Sequence, residues 1–253
     1  MTFQEGEPVY LEDSSGKRYW FRMAFEMIRV QSLGTVDGSK FADADDGSVV
    51  KIAGNDFTVF RPGVIELIES LDRGAQIITP KDAATILLNC NIRSGTTVIE
   101  VGAGSGGLTT ALLNSVAPSG KVVTVELKEE NSKRTRRNIS RTGAEGCWEC
   151  VMGNAKDVEF ECIADALTMD MPDPWLALDN MLPHLRLGGR ICIYVPNANQ
   201  LESSVLALRE RGFAGVKAME NIQRGMEVHP GGVRPSFEML GHTGYLIFGR
   251  KRS

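Results

Sequence analysis

The chain has 253 residues, enough for one large domain or for an α/β domain with a small satellite. Apolar residues make up 42% and charged residues 24%, the balance of an ordinary soluble globular protein, and no run of about 18 apolar residues offers a membrane span. A net charge of −4 does not mark a nucleic-acid binder, yet the charge is uneven: residues 1–75 carry 13 acids against 8 bases, residues 76–253 carry 19 against 20. Any RNA contact must come from local patches.

The polar, acidic opening MTFQEGEPVYLEDSSGKRYW is no signal peptide. Five scattered cysteines (Cys90, Cys147, Cys150, Cys162 and Cys192) fit reduced thiols in a cytoplasmic protein. A single CxxC, Cys147 to Cys150, has no second pair and no nearby His, so strand residues are expected there and no metal site.

Residues 1–75 read as short β segments between turns. PVYLED, a turn at Ser14-Ser-Gly-Lys17, and RYWFRM predict one hairpin. SVVKIAGNDFTVFRP predicts a second with Gly54-Asn55 at its turn, and together they suggest a small β-barrel or curled sheet. Residues 62–75 look like a linker carrying one short helix, GVIELIESL.

From residue 76 onward strands alternate with helices, the rhythm of a doubly wound, mostly parallel sheet. In order come the helix KDAATILLNC, strand TTVIEVG, helix 107–117, strand KVVTVEL, helix 129–142, and strands CWECVMG and ADALTMD. Next are helix WLALDNMLPHL, ended by Leu187-Gly-Gly-Arg190, strand RICIYV, helix 199–211, and GYLIFGRK as an antiparallel edge strand.

The most informative stretch is Val98-Ile-Glu-Val-Gly-Ala-Gly-Ser-Gly-Gly107, a strand entering a glycine-rich turn and then a helix, with Glu126 closing the next strand. Glycines at 102, 104 and 106 permit positive φ and close approach of backbone to ligand. The acid Glu100 inside the strand and the early start of the helix favour S-adenosyl-L-methionine (SAM) over a dinucleotide, whose pyrophosphate would sit on the helix N-terminus. Glu126 is placed to accept from both ribose hydroxyls.

Ligands of doubly wound sheets bind at strand carboxyl ends near the switch in strand order. The site candidates are therefore Gly102, Gly104, Ser105, Gly106, Gly107, Leu108, Glu126, Asn154, Asp170 and Pro196. Asp170 opens Asp170-Met-Pro-Asp173-Pro-Trp175, similar to the acid-and-proline motif with which amino-methyltransferases hold an exocyclic amine. Asp173, nearer the following helix, suits capping and leaves Asp170 for substrate.

These segments resemble the TrmI-type tRNA (adenine-N1)-methyltransferases over nearly the whole chain. The resemblance rests on Gly74-Ala-Gln76-Ile-Ile-Thr-Pro80-Lys81-Asp82-Ala-Ala84, VIEVGAGSGGLT, DMPDPW, YVPNANQ at 194–200, and Gly241-His-Thr-Gly-Tyr245. It implies a seven-stranded Rossmann-like SAM-dependent methyltransferase domain (76–253) behind a small N-terminal β domain (1–75). It also implies a homotetramer, SAM bound by Gln76 among others, and tRNA as substrate, methylated at N1 of a T-loop adenosine. The chain departs from the family in lacking a His around Ser32 to Val36, and in carrying Gly153-Asn154 where Gly-Asp is common. Asn154 can still bond the SAM adenine, less strongly than a carboxylate.

Adenine N1 is already nucleophilic, so such an enzyme chiefly aligns N1, methyl carbon and sulfur, and a carboxylate accepting from N6 stabilises the charge that develops. Asp170 fits that role, acting on a flipped base. Tyr194 is open between stacking on that base and packing in the core, and His242 between a structural and an RNA-facing role. Lys133, Arg134, Arg136, Arg137 and Arg141 on one helix, with Arg250-Lys251-Arg252, form the expected RNA patch. Two other readings compete: a methyltransferase of protein carboxyls or small molecules, which the N-terminal β domain and Asp170 oppose, and a non-catalytic RNA-binding subunit, which an intact glycine loop and Asp170 oppose.

Overall fold

The structure, a computed structural model, describes residues 2–74 and 76–252. The chain divides into two compact units, Met1–Ser70 and Leu71–Ser253. The division falls five residues before the expected one after residue 75, itself outside the described residues. The reason is local: Asn138 clamps the main chain of Asp72 to the second unit, accepting from its N–H at 3.1 Å and donating to its carbonyl at 3.0 Å.

In the first unit β1 (Pro8–Asp13), β2 (Arg18–Arg22), β3 (Met27–Val30), β4 (Gly34–Asp37), β5 (Val49–Ile52) and β6 (Asn55–Phe60) precede helix α1 (Val64–Glu69). Both expected hairpins are present within one antiparallel sheet of order β2-β1-β6-β5. A further hairpin, β3–β4, was not read from the sequence. Alternate residues Val9, Leu11, Val50, Val59 and Phe57 point into a core closed by Met23, Val36 and Phe41. The β5–β6 turn is Ala53-Gly54, both at positive φ, one residue earlier than expected.

The second unit runs α2 (Pro80–Asn89), β7 (Thr97–Val101), α3 (Gly107–Val116), β8 (Lys121–Glu126), α4 (Glu129–Ile139), β9 (Trp148–Met152), β10 (Ala164–Met169), α5 (Leu178–Met181), β11 (Leu185–Val195), α6 (Ala198–Glu210), β12 (Ala214–Glu220), β13 (Met226–His229), β14 (Gly232–Pro235) and β15 (Tyr245–Arg250). Its seven-stranded sheet has the order β12-β15-β11-β10-β7-β8-β9. The five strands from β11 to β9 are parallel, and β15 is antiparallel to both neighbours.

Two expectations need correction. The strand at 245–250 is antiparallel but not at the edge: β12, whose alternation (AGVKAME) is weak and half exposed, takes the edge. The helix expected over WLALDNMLPHL shrinks to the four residues of α5 flanked by short 3-10 turns, because Pro174 and Pro183 interrupt it. The exposed β13–β14 hairpin also went unread. The order of strands reverses between β7 and β10, and both carboxyl ends open onto one cleft.

Candidate active site

The chain leaves β7 at Val101 and turns through Gly102, Gly104 and Gly106, all at positive φ (88°, 56° and 84°). The turn is pinned at its base, where Gly102 N–H donates to Val125 O at 2.9 Å and Asp170 N–H to Val101 O at 2.9 Å. A Cβ at Gly102 would overlap the Asp170 carbonyl oxygen, so the end of β10 can approach the loop only because residue 102 is glycine. At Gly104 a Cβ would meet no protein atom; that position borders open space.

That space is a cavity of about 330 Å³, lined among others by Gln76, Gly102, Gly104, Glu126, Asn154 and Asp170. The volume falls within the range of small-molecule sites. Ser105, Gly106, Gly107 and Leu108, expected to contact the cofactor, are not among its lining residues. Ser105 Oγ instead accepts from Gly74 N–H at 3.1 Å, Gly106 backs onto Thr135, Gly107 faces Ile77, and Leu108 is buried. An α3 that starts at once after the loop turns these four inward.

Glu126, buried at the end of β8, holds the glycine loop in shape. One carboxylate oxygen accepts from Ala103 N–H at 2.9 Å and Gly104 N–H at 3.3 Å; the other accepts from Lys128 N–H at 2.8 Å and Asn131 Nδ2 at 3.4 Å. Two of the four bonds are long, which leaves acceptor capacity for hydroxyl groups in the cleft. Asn154 Oδ1 accepts from Lys156 N–H at 3.1 Å, an Asx turn that fixes the amide's orientation and leaves its NH2 as a donor at the cavity wall.

Asp170 is the chemically unusual side chain. It is open to the cleft, and among the described residues no donor reaches its carboxylate. The protein crowded around it, and secondarily the Glu126 carboxylate, push its carboxyl up to about 6. Asp173, expected to cap the next helix, instead takes a left-handed φ of 54° and makes no side-chain capping bond. Its carbonyl, not its carboxylate, accepts from Leu176 N–H at 3.0 Å.

Glu100 does not reach the cleft. Fully buried, it accepts from Thr109 Oγ1 at 2.8 Å and Thr124 Oγ1 at 2.7 Å, and Thr124 Oγ1 in turn accepts from Trp148 Nε1 at 2.8 Å. Burial pushes its carboxyl up to about 7, against the opposing pull of the two threonine hydroxyls. It braces the first turn of α3 against the sheet.

The structure also decides the open residues. Tyr194 is buried with its ring on Gly244, and its hydroxyl donates to Thr243 O at 2.7 Å, so it packs rather than stacks on a ligand. His242 Nδ1 lies 2.6 Å from Glu220 Oε1 and Nε2 lies 2.8 Å from Pro196 O, tying the ends of β12 and β11 together; the Glu220 carboxylate holds the imidazole above its ordinary value. A buried cluster beside it joins two of the segments that carry the resemblance. Asp82 receives Lys81 Nζ at 3.0 Å and Thr243 Oγ1 at 2.7 Å, and so anchors the 241–244 turn on α2.

Three of the five bases in the patch expected around α4 face acidic partners. Lys133 pairs with Glu129 at 2.7 Å, Arg134 with Glu130 at 2.6 Å, and Arg137 faces Asp72 at 3.7 Å. Arg134 is mostly buried against Gly74, and Arg136 lies over the Trp148 ring. Of the C-terminal run, Lys251 spends its ammonium on the carbonyls of Leu182 and Leu185. Among the described residues no group of three or more His, Cys, Asp or Glu is placed to hold a metal ion, and no helix is long and apolar enough to cross a membrane.

A doubly wound sheet with a glycine turn after its first parallel strand, an acid closing the second and a cleft at the reversal of strand order is the architecture of SAM-dependent methyltransferases. Two solved structures support this at the level of fold. The tRNA (m1A58) methyltransferase TrmI of Aquifex aeolicus matches with a TM-score of 0.82 at 28% identity over all of both chains. A SAM-dependent O-methyltransferase of Thermotoga maritima matches with a TM-score of 0.89 at 27% identity, over 100% of this chain and 95% of that one.

Residues 65–233 match the family described as the tRNA methyltransferase complex GCD14 subunit, and the chain belongs to that family. It is 32% identical to the tRNA (adenine(57)-N(1)/adenine(58)-N(1))-methyltransferase TrmI of Methanocaldococcus jannaschii, over 95% of this chain and 93% of that protein. It is 28% identical to the tRNA (adenine(58)-N(1))-methyltransferase TrmI of Thermus thermophilus, over 95% of each.

Proposed function

We propose that the protein transfers the methyl group of SAM to N1 of a tRNA T-loop adenosine, at position 58, with its neighbour 57 as a second target as in the name of the M. jannaschii relative. The observation that carries the reading is one cleft that joins a carboxylate-braced glycine loop to an acid whose carboxylate meets no donor among the described residues. Glu126 suits the ribose hydroxyls, the backbone of Gly102 and Gly104 the amino-acid end, and the Asn154 amide a ring nitrogen of the cofactor's adenine, with Gln76 at the rim. The open space beyond Gly104, which a side chain would invade, suits close ligand approach.

When bound, the cofactor supplies an electrophilic methyl carbon. The chain's own residues align the base and answer the charge it acquires. Asp170, ionised, accepts from the N6 amine of the flipped adenine, which holds N1 toward the methyl and offsets the positive charge spreading over the ring. The same carboxylate can then take the amine proton. A hydroxyl substrate would need a base to deprotonate it; adenine N1 does not, and an acid tuned to about 6 is ionised at neutral pH as the amine contact requires.

The reading includes a homotetrameric assembly and a cytoplasmic place of work, where tRNA is matured. Incubation with tritiated SAM and unmodified bulk tRNA, followed by nucleoside mapping, is expected to give 1-methyladenosine in the T loop. Label in any other nucleoside, or none with tRNA but some with protein, would overturn it. Light scattering of the purified protein checks the tetramer.

A further inference from the structure

At the amino ends of the parallel strands, about 17 Å from the cleft by the rise of a five-residue strand, the second unit carries two adjoining hollows of about 260 and 340 Å³. They share Arg190 and Arg250 as lining residues. Arg93 and Arg186 line the first and Lys217 the second, and Asp165 is the one carboxylate among the lining residues of either. In a chain of net charge −4 this is a concentrated positive surface.

Of its arginines Arg186 alone is in a salt bridge, with Asp165; Arg93, Arg190 and Arg250 form none among the described residues. Asp165 is already committed: one oxygen accepts from Arg186 Nε at 2.6 Å and the other from Thr97 N–H at 3.0 Å. Arg190 spends one Nη on Asn89 O, and Arg250 spends Nε on Gly188 O, each leaving further N–H donors. The Arg93 main-chain N–H donates to Thr96 Oγ1 at 3.0 Å, but among the described residues its guanidinium donates no hydrogen bond.

Gly188 brings two of the guanidinium groups together. Arg250 Nη2 and Arg186 Nη1 lie 3.5 and 3.6 Å from where a Cβ of residue 188 would stand, so they are no farther apart than the sum of those distances. Like charges that face one hollow, with its single carboxylate already bonded to Arg186, are stabilised by an anion between them. Guanidinium forks converging from separate elements suit a phosphate, with three or more acceptor oxygens, better than a two-oxygen carboxylate.

We propose that Arg93, Arg186, Arg190 and Arg250 form a phosphate-binding site at the amino-terminal end of the sheet, distinct from the methyl-transfer cleft. Its ligand is a phosphate group, either of a free polyphosphate or of an RNA backbone.

Calorimetric titration of the full chain with inorganic pyrophosphate tests the site. The wild type is expected to bind, Arg93→Gln to bind about tenfold or more weakly, and Arg93→Gln/Arg250→Gln not measurably, with S-adenosylhomocysteine binding unchanged. Arg93→Gln removes no internal hydrogen bond, so it remains informative if the double variant is unstable. If RNA supplies the phosphate, pyrophosphate also competes with tRNA, and the slope of log affinity against log salt falls by about one to two in the double variant. If a free polyphosphate is the ligand, pyrophosphate binds and that slope stays as in the wild type. Absence of pyrophosphate binding to the wild type, or equal binding by the wild type and Arg93→Gln, overturns the proposal.

Discussion

Asp170→Asn tests the reaction chemistry with little disturbance of the fold. The main-chain N–H of residue 170 bonds Val101, its carbonyl packs on Gly102, and among the described residues no donor is committed to its carboxylate. Replacing one carboxylate oxygen by NH2 therefore orphans nothing inside the protein. What is lost is the acceptor for an amine and the negative charge beside a ring turning positive, a loss of about 10²–10³ in kcat, or about 2.7–4 kcal/mol. Binding of S-adenosylhomocysteine should survive, because Glu126 and the glycine loop are untouched.

Acidity gives the second readout. With a carboxyl at about 6 in the free protein and activity residing in the ionised form, kcat/KM falls as pH drops below about 6 and levels off above it. The asparagine variant should lack that limb. Steady-state methylation of unmodified tRNA across pH measures both effects. A variant that keeps turnover near the wild-type level under saturating tRNA, or keeps the acidic limb, would refute the role given to Asp170.

Other perturbations follow from the same geometry. Glu126→Ala removes the two loop-holding bonds to Ala103 and Gly104 as well as the cofactor's ribose partner, so the Kd for S-adenosylhomocysteine should rise about a hundredfold or more; an unchanged Kd would take Glu126 out of the site. Gly102→Ala combines positive φ with a clash on the Asp170 carbonyl, and should lower thermal stability and activity together, whereas a variant of wild-type stability would contradict the close approach described. Glu100, fully buried, has a carboxyl raised from 4.5 to about 7, so its stabilising contribution is complete below about 4.5 and is lost as pH rises through about 7, a change of about 3 kcal/mol. Chemical denaturation on either side of that window should give a smaller pH dependence for Glu100→Gln than for the wild type; equal slopes would mean that Glu100 is not ionising inside the fold.

Much of the fold was legible because local chemistry and tertiary role agree. Val98-Ile-Glu-Val101 and Val122-Val-Thr-Val125 are mostly apolar segments of a sheet buried on both faces, and the glycines at 102, 104 and 106 suit a turn. Asp170 was legible for the same reason, since a charged residue directly after a buried strand must meet water or a ligand. Reading failed where tertiary contacts decide. Ser105 faces Gly74 and not the cleft because α3 begins without a spacer. Two acids that face the bases of α4, Glu129 and Glu130, stand four residues away on the same helix, and only Asp72 comes from a distant segment. Burial of Arg134 and assembly of the arginines around Gly188 draw on segments distant in sequence, and no local pattern encodes them.

The insertion of β15 between β11 and β12 affects the order in which the sheet can be completed. It is the last of the seven strands to be synthesised, yet it occupies an interior place, and β12 has no other neighbour in the sheet. During synthesis β10, β7, β8 and β9 can pair while one edge of β11 stays bare and β12 waits without a ladder. Both are satisfied together when Tyr245–Arg250 arrives. A chain cut just before Tyr245 would lose more than a terminal strand: it would release β12, free the 241–244 turn from its far anchor and present an uncovered apolar edge to any strand that could pair with it.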